Sequence, residues 1–163
     1  MTVIDPKTTS ANLAMRPFDA SLPMALLKAR ETAMRLFRPL LAEYDLTEQQ
    51  WRVLRALTAA ASPVDAGELA EQTFLLAPSL SRMLVNMERR ELITRTTDPA
   101  DHRRSLLGLS PKGVALVQAV APRSEAQYAR IEESFGADRL AALLRELADL
   151  AGLELELNEG AGS

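Results

Sequence analysis

The sequence has no cysteine, a single histidine (His102) and a single tryptophan (Trp51) among 163 residues. Without cysteine there is no disulfide framework, no Cys-ligated zinc, no iron–sulfur cluster and no thiol catalysis. One histidine argues equally against a His-built metal site and a Ser-His-Asp triad. No apolar run approaches the roughly 18 residues of a membrane span. The opening segment also lacks a basic stretch followed by an apolar core, so no secretory signal or membrane contact is expected, and the expected compartment is the cytoplasm. A Gly-rich phosphate loop, a His-Glu-x-x-His pair and a Gly-x-Ser-x-Gly elbow are all missing. The expectation is a protein that is not an enzyme and holds no resident metal or cofactor.

What is present is a foldable chain of one domain with arms, 47% apolar and 25% charged. Residues 1–20 carry Pro6 and Pro17 with no period and read as a flexible arm. From Ser21 to Tyr44, Leu26, Leu27, Met34, Phe37, Leu41 and Tyr44 recur at helical spacing around an internal Pro39. Thr47-Glu48-Gln49-Gln50 has the form of a capping box opening a helix to about Ala60, with Trp51, Leu54 and Leu57 inward. Helices over Ala66–Thr73 and Pro78–Arg90 follow, joined by about four residues, the spacing of a helix-turn-helix. The second places Leu80, Met83, Leu84 and Met87 inward and Ser79, Ser81, Arg82 and Asn86 outward. Leu92–Thr97 and Ser105–Leu109 then alternate as strands of a two-stranded ribbon, with Asp98-Pro99-Ala100-Asp101 as turn chemistry. Ser110-Pro111 opens a helix to about Phe135, interrupted by Pro122. Asp138 to about Leu153 forms the last helix, and residues 156–163 form a disordered tail.

Net charge at first weighs against a nucleic-acid partner, since 22 acidic residues outnumber 19 basic ones for a total of −3. Its distribution reverses that inference. Ser79–Lys112 holds seven basic and four acidic residues, a net +3, whereas Glu125 onward holds three basic and nine acidic, a net −6. The cationic part is the helix-turn-helix and its ribbon. Its outward helix face suits a major groove, and its hairpin, with Arg103 and Arg104, suits a neighbouring minor groove.

Ser81-Arg82-Met83-Leu84-Val85-Asn86-Met87-Glu88-Arg89-Arg90-Glu91-Leu92-Ile93, Asp98-Pro99-Ala100-Asp101-His102-Arg103 and Leu109-Ser110-Pro111-Lys112-Gly113 together resemble the recognition helix, wing and post-wing helix of MarR-family regulators. Phe37-Arg38-Pro39, Leu46-Thr47-Glu48-Gln49-Gln50-Trp51-Arg52 and Pro78-Ser79-Leu80 are similar to a narrower branch, the repressors of homoprotocatechuate and other aromatic-acid degradation. The resemblance implies a mainly α winged helix-turn-helix over residues 46–110. Residues 21–45 and 111–155 supply long dimerisation helices, and the homodimer binds a palindromic operator in double-stranded DNA. Ser79, Ser81 and Arg82 match positions that meet bases and phosphates, and Arg103 matches the wing-tip arginine, oriented by Asp101. Glu91 departs from the pattern, because the family has glycine there, in a left-handed helix cap.

The resemblance also implies a ligand pocket between the dimerisation helices and the winged domain. Arg30 stands in register with the apolar stripe of the first helix, where a guanidinium needs an anion. That anion is either a carboxylate of the protein or the carboxylate of a bound small aromatic acid, the expected effector being that acid or its coenzyme A thioester. In the second case Arg16 or Arg52 assists Arg30, Trp51, Met34 and Phe37 form the walls, and Ser21 and His102 supply hydrogen bonds. The expected function is a ligand-released repressor of an aromatic-catabolic operon. A regulator of the same family with a stress or redox input, or a helical dimerisation module that does not bind DNA, are the alternatives.

Overall fold

The structure, a computed structural model, describes residues 15–153. Two compact units divide the chain, one through Ser124 and one from Glu125 onward. The first contains α1 (Leu22–Glu43), α2 (Glu48–Ala59), β1 (Val64–Asp65), α3 (Ala66–Thr73), α4 (Ala77–Arg89), β2 (Ile93–Thr97) and β3 (Ser105–Leu109). Helix α5 (Pro111–Phe135) crosses the division, and α6 (Ala137–Ala151) follows. The class is mainly α with a small β-wing.

Three helix starts are fixed by side chains. The Thr47 hydroxyl accepts the Gln50 N–H at 3.1 Å while the Gln50 amide oxygen accepts the Thr47 N–H at 3.0 Å, a complete capping box. Asp65 accepts the N–H groups of Gly67 and Glu68 at the start of α3. Ser110 accepts the Gly113 N–H at 2.9 Å and donates its own hydroxyl to the Glu91 carbonyl. Gly113 is required by packing, since a Cβ there would lie 2.0 Å from the Leu92 carbonyl oxygen. The post-wing Leu-Ser-x-x-Gly pattern is thus a cap followed by a close helix–strand approach.

Three helix ends share a feature that composition does not announce. Asp45, Phe74 and Glu91 each take a left-handed conformation, with φ of 53°, 52° and 59°. Each sits at the residue that reverses the chain. Its N–H returns to Ala42, Glu71 or Glu88, and the next residue's N–H reaches Leu41, Ala70 or Met87. This paired bonding is the Schellman motif, whose left-handed position usually belongs to glycine. None of the three is glycine.

The core gathers one face from every element of the first unit. Leu40 and Leu41 of α1, Trp51, Val53, Leu54 and Leu57 of α2, Leu69 of α3, Leu80, Leu84 and Met87 of α4, Ile93, Leu107 and Val120 form one buried cluster. The strands run in the order β1-β3-β2, antiparallel, with Val64 opposite Leu107 and Ile93 opposite Leu109. In the second unit Gly136, at φ 97°, separates α5 from α6, and α6 buries none of its residues.

Three sequence expectations need correction. The ribbon is a three-stranded sheet, because Val64–Asp65 adds an edge strand too short to show alternation. The arm is not structureless throughout, since Pro17 leads into a 3-10 turn at Phe18–Ala20. The last helix starts and stops earlier, at Ala137 and Ala151, because Gly136 supplies the break directly before it. Residues 1–14 of the arm and the tail 156–163 lie outside the described residues.

Candidate nucleic-acid interface

Helix α4 buries Leu80, Leu84 and Met87, so the period of the helix directs Ser79, Ser81 and Arg82 to solvent. Asn86 does not join them. It is half-buried, and its amide oxygen accepts a hydrogen bond from Gln50 at 3.2 Å. The outward reading of Asn86 is corrected accordingly: Gln50, already committed to the α2 capping box, also ties α4 to the start of α2.

The wing tip is built by its own acids. The Asp98 side chain accepts the Ala100 N–H at 2.8 Å, and the Asp101 side chain accepts the Arg103 N–H at 3.0 Å. The Arg103 guanidinium lies 3.4 Å from the same Asp101 oxygen and is 94% exposed. Asp101 therefore holds the base of a cation that otherwise faces solvent. Arg104 differs, because it reaches Asp65 at 3.3 Å and so joins the wing to the start of α3. The Gly67 N–H, set against a smaller rise from burial, then the Glu68 N–H and Arg104, hold the Asp65 carboxyl below its ordinary value. His102 is exposed in the same turn.

On α1 the charges form a cluster. Arg30 pairs with Glu31 at 2.7 Å and with Glu48, and Arg38 pairs with Glu31 at 2.8 Å and with Glu48 at 3.1 Å. The Arg38 hydrogen bond, with further help from Arg30, lowers the Glu31 pKa. Partial burial pushes Glu48 up, but the Arg30 and Arg38 contacts outweigh it and leave a net lowering. Arg30 is exposed rather than sunk in the apolar stripe, and the protein supplies its carboxylates.

The other residues expected around a ligand are spread over several elements. Trp51 and Phe37 are buried, Trp51 within the core cluster, while Met34 and Ser21 are half-buried and Arg16 is exposed. Arg52 donates to the Thr73 carbonyl at 2.9 Å, closing the C-terminal end of α3. A groove of about 400 Å³ beside the charge cluster is lined by Arg38, Leu41, Leu46, Thr47, Glu48 and Gln49. Arg38 and Glu48 were not singled out from sequence, although Glu31 and Arg38 are spaced two turns apart on one helix face. Among the described residues no cluster of three His, Asp or Glu is placed to hold a metal, and no helix is long and apolar enough to cross a membrane.

These features have counterparts in known proteins. Residues 44–104 match the sequence profile of the MarR family. The homoprotocatechuate degradative operon repressor of Escherichia coli is 38% identical over 133 residues, covering 82% of this chain and 89% of that protein. The chain belongs to the MarR family. Two MarR-like structures add detail. NadR, solved in complex with 4-hydroxyphenylacetate, is 34% identical with a TM-score of 0.75, covering 86% of this chain and 99% of NadR. The repressor CouR, solved on a 23-mer DNA duplex, is 30% identical with a TM-score of 0.76, covering 84% of this chain and 98% of CouR. This MarR protein is a transcriptional repressor and not an enzyme. The α3–α4 pair is its helix-turn-helix and β2–β3 its wing.

Proposed function

We propose that the protein works as a homodimer on a palindromic operator and leaves it when an aromatic carboxylate, or its coenzyme A thioester, binds. The observation that carries the DNA half is the exposed, Asp101-braced Arg103 beside an α4 face of Ser79, Ser81 and Arg82 in a chain of net negative charge. Phosphate neutralisation by the wing positions α4, and α4 reads base edges. Dimerisation is supported by two apolar rows left open on the chain. On α1 these are Leu22, Leu26 and Leu27, and on α6 Leu143 and Leu144.

For the effector, Arg30 is the principal anchor, because its guanidinium is exposed and its Glu31 partner exchangeable, whereas Arg52 is half-buried and tied to the Thr73 carbonyl. An incoming carboxylate displaces Glu31 from Arg30, an exposed pair worth only about 0–1 kcal/mol, while the half-buried Glu48 keeps its pair with Arg38. The relatives support the ligand class, since one is named for homoprotocatechuate degradation and NadR was solved with 4-hydroxyphenylacetate. A useful switch requires a coupling free energy of about 1–3 kcal/mol between effector and DNA. The test is calorimetric titration of wild type and Arg30→Ala with a panel of hydroxylated phenyl and benzoic acids and their thioesters. Wild type binds one of them, and Arg30→Ala loses about tenfold or more in affinity. Equal affinities for both proteins rule out Arg30 as the anchor.

A further inference from the structure

Phe74 is the most anomalous residue of the described chain. It stands at φ 52°, ψ 40°, the left-handed position of the Schellman cap that ends α3. For a bulky side chain this conformation is an outlier that costs about as much as a hydrogen bond contributes. Packing does not offset that cost, since Phe74 is 91% exposed. The cap itself asks only for the backbone: Phe74 N–H returns to Glu71 and Leu75 N–H to Ala70, with Leu75 turned onto the core. Glycine would serve the fold better at this residue. Asp45 and Glu91, in the equivalent places, at least present polar groups to water.

Leu76 repeats the pattern two residues on. It is the residue before α4, with no side-chain cap bond, and is 77% exposed. The turn between the two helices of the helix-turn-helix thus holds out two large apolar side chains on either side of the partly buried Leu75. They directly precede α4 in the chain, whose N-terminal part exposes Ser79 and Arg82, and that part of a recognition helix meets base edges. An apolar group in that position has a specific complement in DNA, the C5-methyl group of thymine in the major groove.

We propose that Phe74 and Leu76 are specificity-determining residues that contact thymine methyl groups at the edge of each half-site, with the strained Phe74 retained for that contact. The inference rests on α4 being the DNA-reading helix. The test starts with a duplex selected from a random-sequence library by the full-length wild-type protein. Affinity is then measured by fluorescence anisotropy for that duplex and for the same duplex with deoxyuridine replacing thymidine, using wild type, Phe74→Gly and Leu76→Ala.

Wild type loses about three- to five-fold in affinity for each contacted methyl removed. Phe74→Gly binds the thymidine duplex more weakly, discriminates less between the two duplexes, and melts at a higher temperature because the backbone strain is gone. An unchanged thymidine-to-deoxyuridine ratio in Phe74→Gly overturns the proposal. Where that unchanged ratio comes with an equal fall in affinity for both duplexes, Phe74 touches sugar or phosphate rather than methyl. Unaltered DNA affinity with a raised melting temperature overturns it in favour of a protein partner at this turn. Failure of wild type to select any duplex removes the DNA reading itself, an outcome separate from any result on the variants.

Discussion

Single residues carry the departures from what this fold would prefer. Glu91 occupies a left-handed cap at φ 59° and offsets part of the strain with an exposed 3.2 Å pair to Lys112. Replacing it by glycine removes about 1 kcal/mol of steric strain and forfeits a pair worth a few tenths, against some added freedom of the unfolded chain. Glu91→Gly should therefore stabilise the protein by about 0.5 kcal/mol or less and raise its melting temperature by about 1–2 °C. A lower melting temperature would contradict the strain argument. The left-handed turn was legible at Glu91 from its place after the recognition helix, but not at Asp45 or Phe74. Those two conformations are imposed by where Leu46 and Leu75 must enter the core, a tertiary demand with no local sequence mark. Asn86 was misread for a related reason: its helical phase is correct, yet Gln50 arrives from another element to occupy it.

At the scale of elements, periodicity located every helix to within a residue or two, helped at three starts by the caps Thr47, Asp65 and Ser110. The edge strand β1 was hidden by its two-residue length. Its Asp65 has a double task, capping α3 and holding Arg104 of the wing. Asp65→Ala removes a helix cap and should cost about 1 kcal/mol at neutral pH. The pH dependence has a definite sign. The folded Asp65 carboxyl lies below its ordinary value of 3.8, so its stabilising effect is complete above that value and is lost as pH falls through the lowered one. Urea denaturation of both proteins should show a gap that is constant from pH 7 to about pH 5 and closes under more acid conditions. A gap that widens on acidification would contradict the assignment. The Arg30, Glu31, Arg38 and Glu48 cluster spans α1 and the start of α2, and only Arg30 was visible beforehand, because the pairing depends on how the two helices meet.

For the whole molecule, net charge is a poor guide to partner and charge placement a good one. The chain totals −3, yet the segment from Ser79 to Lys112 is net positive and contains both the exposed face of α4 and the wing. The family was legible because the wing acids, the Ser110 cap and Gly113 each answer a geometric requirement close in sequence. The ligand was not, because its expected residues are dispersed over several elements of one chain. The central claim, that α4 and the wing bind DNA through phosphate contacts and base reading, is tested most directly by the salt dependence of binding. Anisotropy titrations of a duplex selected by the wild-type protein should give a linear decline of log affinity with log salt, with a slope of about −0.9 per phosphate contacted. Arg103→Ala should bind more weakly and with a shallower slope, by about one contact for each wing. Wild-type binding that does not change with salt, or an Arg103→Ala protein with the parent's affinity and slope, would contradict the account.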